Sequence, residues 1–189
     1  MQAPAVIETA RMTLDAPDAA DAAAITAALS DFDVAGRLAR VPWPYRPEHA
    51  AAFLAHCDAA RTSGEAHVYG LRPKGERRLL GLVGLQGLPN DPEIGYWLVK
   101  DAWGRGYATE AGRAMLDLAF DGLGLPAVRS GVFVGNDASL AVQRKLGFSV
   151  VGQSLVMCEA HGRALAHIDT RITRDDYEAG VRLSSAAAG

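Results

Sequence analysis

The chain has 189 residues, 49% of them apolar, which is enough for one sizeable core and short for two. A formal net charge of −3 and a pI near 5.9 offer no basic surface for a phosphate backbone, which disfavours a nucleic-acid partner. Two cysteines, Cys57 and Cys158, are too few for a disulfide framework, and the longest apolar stretch, Leu79 to Leu85, is far too short to span a bilayer, so a soluble cytoplasmic protein without a membrane partner is expected.

In chain order, apolar residues alternate or cluster at Val6 to Leu14, Ala66 to Leu71, Arg78 to Leu88, Ile94 to Val99 and Val128 to Val134, predicting at least five strands. Pro73 and Gly75 in RPKGERR predict an antiparallel hairpin between the second and third of these, and LPNDPE turns the third into the fourth in the same way. Helices are placed by their punctuation. Asp15, Asp18 and Asp21 precede AAAITAAL, as acidic groups suited to a helix N-terminus. Pro47 opens a helix that Gly64 closes, apolar residues at helical spacing run from Ala108 to Leu123, and a last helix covers about Ala138 to Leu146. The resulting order is a strand, helices, an antiparallel meander, then strand, helix, strand, helix and a closing strand, which is a mixed α/β sheet. No composition break marks a second domain, so residues 1–189 read as one domain with a core over about 7–177 and a frayed tail at 183–189.

The strongest chemical signal is the loop from Trp103 to Thr109, WGRGYAT, between a strand ending near Val99 and a helix starting near Ala108. Gly104 and Gly106 permit backbone conformations that turn successive N–H groups inward, and the helix N-terminus adds partial positive charge, so a pyrophosphate can be held without a lysine. A plain strand-to-helix turn is the alternative. No GxxxxGK[ST] occurs, and a dinucleotide fingerprint would need a third small residue at Thr109 and an acidic residue about twenty positions on. Later, Asn136-Asp137-Ala138-Ser139 reads structurally as an N-cap and first turn. Histidines 49, 56, 67, 161 and 167 lack metal-ligand spacing and read as structural or exposed, and Cys158 reads as a buried inert thiol.

WGRGYA fits the pattern [Q/R/W]-x-x-G-x-[G/A]. It resembles the acyl-CoA pyrophosphate loop of the GNAT superfamily of acetyltransferases, with Trp103 in place of the commoner Gln or Arg. EIGYWLV before it, TEA after it and NDASLAVQRKLGF further on resemble the branch of ribosomal-protein N-terminal acetyltransferases. IETARMTLDAP, VPWPY and DTRITRDDY extend the likeness from about residue 7 to 177.

The resemblance implies a GNAT fold, a mostly antiparallel sheet flanked by helices with its fourth and fifth strands splayed. It also implies direct acetyl transfer from acetyl-CoA to an amine, with no metal. By similarity, Leu98, Val99, Trp103, Gly104, Arg105, Gly106, Ala108 and Thr109 bind the cofactor, Asn136 binds its pantetheine side, and Ser139 stabilises the departing thiolate. Glu93 stands where relatives present a carboxylate, as a base or as an acceptor-orienting charge, because an ammonium has no lone pair with which to attack. Trp43 and Tyr45 resemble the acceptor-pocket segment, with aromatic packing as the alternative. The acceptor is expected to be a peptide N-terminus or a small-molecule amine such as an antibiotic, polyamine or amino acid. A non-catalytic acyl-CoA-binding module is the reading from another class. A homodimer is expected at family level only.

Overall fold

The computed structural model describes residues 3–186, with side chains for residues 3–180. Eight strands form one sheet: β1 (Val6–Glu8), β2 (Met12–Asp15), β3 (Ala66–Pro73), β4 (Gly81–Gln86), β5 (Glu93–Leu98), β6 (Ala127–Phe133), β7 (Ser149–Cys158) and β8 (Arg163–Thr173). Their spatial order is β1-β2-β3-β4-β5-β6-β8-β7. Six helices flank them: α1 (Ala22–Leu29), α2 (Phe32–Ala35), α3 (Pro47–Ser63), α4 (Tyr107–Asp117), α5 (Asp137–Lys145) and α6 (Arg174–Ala186).

The sheet is antiparallel except at one joint. Strands β5 and β6 run parallel and share the single register pair Glu93↔Arg129, after which they diverge. The expected splay of the fourth and fifth strands is therefore present, and it opens the sheet near its centre. Helix α4 closes one face with Ala108, Ala111, Met115 and Leu116 buried against Val83, Leu85, Ile94 and Val128. Helices α1 and α3 cover the other face through Ile25, Leu29, Ala50 and Leu54, packed with Leu79 and Leu82. Both helices start and stop close to the positions that their punctuation predicts. Pro47 is the first residue of α3, and Gly64, at φ 80°, ends it.

Three differences have physical causes. The run Val6 to Leu14 is two strands, because Thr9 turns the chain by bonding Met12 through both backbone and hydroxyl. The expected closing strand is a long hairpin, β7 and β8, with β8 inserted beside β6. Val150, Val151, Leu155 and Met157 of its outer strand stay exposed, so β7 lacks the alternation that marks a half-buried strand. The expected acidic helix start is present one turn earlier, where Asp18 and Asp21 form a capping box on the 3-10 turn Ala19–Asp21, and Asp21 makes no side-chain cap bond to α1 itself. Its carboxylate takes a bidentate pair from the buried Arg72 at 2.8 and 3.0 Å, while Asp15 accepts from the same guanidinium at 2.8 Å. Burial raises the Asp21 carboxyl, but the Arg72 hydrogen bonds outweigh it and hold the group below its ordinary value. Helix α6 continues through Ala186, so residues 183–186 of the expected frayed tail are helical, and 187–189 lie outside the described residues.

Candidate active site

The glycine loop follows β5 through a single 3-10 turn, Lys100–Ala102. Gly104 and Gly106 have φ of 71° and 80°, and Gly106 is the N-cap of α4, so the loop takes the left-handed backbone that glycine accommodates at no steric cost. The first-turn amides of α4 have no intrahelical acceptor and carry the positive end of the helix dipole, and Trp103 and Ala108 of this segment line the β5–β6 gap.

The loop is tied to both flanks. Trp103 Nε1 donates to the Leu98 carbonyl at 2.8 Å, so the indole folds back over the strand end. Arg11 donates to the Arg105 carbonyl at 2.9 Å, and its Nε pairs with Glu110 of α4 at 2.7 Å, which fixes the helix start against the β1–β2 turn. Leu98 and Ala108 are buried beside the gap, and Val99 donates its amide to Leu80. Thr109 lines a second cleft of about 580 Å³ on the outer side of Gly106, together with Arg113 and Lys145.

The gap opens into a cavity of about 720 Å³ that passes from the loop to the helical face covered by α1 and α3. Asn136 and Ser139 stand on one side of it at the start of α5, where the Asn136 side chain accepts the Ser139 amide at 3.4 Å. Tyr96, which the sequence reading did not single out, approaches from β5. Its hydroxyl lies 3.0 Å from Ser139 Oγ and donates to the Ser139 carbonyl at 3.2 Å. Burial pushes the Tyr96 phenol up to about 12, against the lowering hydrogen bonds of Ser139 and Gln143, so it stays protonated at neutral pH. A signal for it was present. Ile94, Tyr96 and Leu98 share the strand face that packs on the helices, and a tyrosine at such a position needs a partner for its hydroxyl.

On the opposite side, Glu93 lines the cavity at the start of β5 and pairs with Arg129 at 3.0 Å, while Arg129 also holds Asp91 at 2.7 Å. Tyr45 is buried in the wall. Trp43 does not accompany it. The indole is 40% exposed and packs edge-on against Phe32 at 5.0 Å, outside the residues lining the cavity. Both cysteines are buried and unpaired, and neither lines the cavity. Burial pushes the Cys57 thiol up to about 11. Among the described residues no group of three or more His, Cys, Asp or Glu is placed to hold a metal, and no helix is long and apolar enough to cross a membrane.

Known proteins share this architecture. A family model described as an acetyltransferase (GNAT) domain matches residues 11–149. The uncharacterized N-acetyltransferase YoaA of Bacillus subtilis is 27% identical over 150 residues, which is 78% of this chain and 84% of YoaA. Among solved structures, Mycobacterium smegmatis RimJ in complex with CoA-disulfide superposes with a TM-score of 0.80 at 20% identity, over 96% of this chain and 94% of that one. The ribosomal-protein-S5-alanine acetyltransferase from Vibrio fischeri gives 0.78 at 20% identity, over 92% and 99%.

Proposed function

Starting from the fact that the chain belongs to the acetyltransferase (GNAT) domain family and is an acyltransferase, we propose that acetyl-CoA is its donor and that the acetyl group passes directly to a primary amine. The observation that carries this reading is the coincidence of a left-handed glycine loop at a helix start and a split sheet: Trp103 and Ala108, at either end of the Gly104–Gly106 turn, line the cavity that opens from the gap between β5 and β6. The loop suits a pyrophosphate, the gap suits an extended pantetheine arm, and the cavity beyond leaves room for an acceptor. Arg113 and Lys145, on the outer cleft, supply cations toward the nucleotide end.

In this reading Asn136 meets the pantetheine side, and Ser139 lies beside the thioester. The Ser139 hydroxyl is a weak acid, and with the Tyr96 hydroxyl 3.0 Å from its Oγ the pair stabilises negative charge developing on sulfur. Glu93 serves as the orienting carboxylate for a cationic amine, since Arg129 already occupies it. The ribosomal-protein acetyltransferases among its structural neighbours favour a peptide N-terminus as acceptor, with small-molecule amines as the second class. The modest negative charge of the chain suits either.

The test is acetyl-CoA turnover against N-terminal peptides and small amines, with Ser139→Ala in parallel. Turnover of at least one amine is expected, with Ser139→Ala lowering kcat about tenfold while acetyl-CoA affinity stays within a few fold. Binding of acetyl-CoA without turnover of any amine would favour the acyl-CoA-binding module instead.

A further inference from the structure

We propose that His167 and Asp169 form a proton-accepting dyad in the acceptor wall of the cavity, which takes a proton from the primary ammonium before the amine attacks the thioester. This rests on the acyltransfer reading above and supplies the base that Glu93, held by Arg129, does not provide. Both residues lie on β8, in the hairpin beyond the segment that the family model matches.

The placement follows from strand geometry. His167 and Asp169 are two residues apart on one strand and so share a face. The register sets them opposite Phe133 and Gly131 of β6, on the side from which Arg129 also projects. His167 Nδ1 is 2.7 Å from Asp169 Oδ1, and Ser154, across the hairpin on β7, donates to the same oxygen at 2.9 Å. A carboxylate only accepts, so the neutral imidazole carries its proton on Nδ1 and its lone pair on Nε2. No hydrogen bond engages Nε2, and among the described residues no buried side-chain nitrogen or oxygen lacks a partner. Nε2 is therefore solvent-accessible, on a ring that lines the cavity.

Gly131 leaves room for this ring. A Cβ there would lie 2.1 Å from His167 Cε1, 2.8 Å from Nε2 and 2.7 Å from the Ile168 carbonyl oxygen, so a side chain would displace both the imidazole and the strand that carries it. Phe133 packs edge-on against the ring at 5.5 Å and limits its swing. The electrostatics fit a dyad as well. Burial raises the Asp169 carboxyl, but the hydrogen bonds from His167 and Ser154, with the charge of Arg129, outweigh it and hold Asp169 ionised, ready to stabilise an imidazolium. Asp169 on the same strand is the charged group bonded to the ring, and Arg129 on β6 acts on Asp169. Glu93 of β5 and Arg37, Arg40, His49 and His56 from the helical side line the same cavity.

The chemistry balances with the two substrates alone. Nε2 accepts one proton from R–NH3+, giving R–NH2 and an imidazolium paired with Asp169. The amine lone pair forms the N–C bond to the acetyl carbonyl, and the C–S bond breaks with its electrons on sulfur. The second amine proton goes to the thiolate beside Ser139 and Tyr96, and the imidazolium later releases its proton to water. Amide, thiol and one proton result.

The experiment compares kcat/KM against pH for the wild-type chain, His167→Gln and Asp169→Asn, using an amine that the wild type acetylates, with acetyl-CoA affinity measured by calorimetry as the check on folding. His167→Gln is expected to lose about 100-fold or more at neutral pH, and to recover at high pH as more of the acceptor becomes neutral, with acetyl-CoA affinity unchanged. Asp169→Asn is expected to lose less, in kcat and with acceptor KM little changed, since the ring is no longer held with its free nitrogen toward the amine; a residue that only braces the hairpin would leave kcat in place. Neutral-pH rates within a few fold of wild type for His167→Gln overturn the dyad and leave the acyltransfer reading standing. Absence of turnover by the wild type on every amine overturns both.

Discussion

The two walls of the cleft between β5 and β6 are made of different material. The donor wall is backbone: six consecutive residues, 104–109, give two left-handed glycines and the first amides of a helix. The acceptor wall is side chains from separate elements, with Glu93 from β5, His167 from β8 and Tyr45 from the loop before α3, and with Arg129 and Asp169 paired behind the first two. The contrast assigns a different physics to each ligand. A pyrophosphate is the same in every donor molecule and is met by fixed dipoles of the main chain, whereas an acceptor amine is selected by side chains that substitution can change without disturbing the fold.

The sharpest way to break the comparison is at Gly106. Gly106→Val places a β-branched residue at φ 80°, where such residues are genuine outliers, although its Cβ would meet only Arg11, at 3.4 Å. The penalty is conformational, roughly 1–2 kcal/mol, and the loop must relax away from its amide-presenting shape. Acetyl-CoA affinity is expected to fall at least about tenfold in a folded protein, as read by calorimetric titration; unchanged affinity in a folded variant would remove the loop from the donor site.

A smaller and different effect is expected at Glu93. With the carboxylate paired to Arg129 at 3.0 Å, Glu93→Gln removes a charge that draws and aligns a cation and leaves the proton acceptor intact. Acceptor KM should rise a few fold with kcat and its pH profile little changed. A kcat that drops at neutral pH and recovers at high pH would move the base from β8 to β5.

These two glycine and carboxylate cases also show what the sequence could express. Gly106 is glycine for its φ, inside a contiguous loop after a strand, and such a pattern is legible without any partner. Gly131 is glycine for its space, and only the β6–β8 register reveals the imidazole and the Ile168 carbonyl that fill it. His167 read as structural or exposed because Asp169, although two residues away, becomes meaningful only when both are known to share the cavity face of one strand. Of the acidic residues at the helix start, Asp18 caps the turn before α1 as its pattern implies, whereas Asp15 and Asp21 also hold Arg72, more than 50 residues along the chain. The antiparallel meander and the starts of α3, α4 and α5 were readable because each rests on local punctuation. The β7–β8 hairpin was not, because its outer strand exposes apolar residues that break the alternation. Trp43 and Tyr45, adjacent in the sequence pattern, part company because only Tyr45 turns inward.

The central claim is that donor and acceptor occupy the two walls together and that the acetyl group crosses between them in one step. Initial rates measured with acetyl-CoA and a turned-over amine varied against each other test it most directly. Intersecting double-reciprocal lines are expected, because direct transfer requires both substrates bound at once. Parallel lines, together with an acetylated chain isolated from acetyl-CoA alone, would contradict the account by showing that a residue of the protein carries the acetyl group between two separate half-reactions.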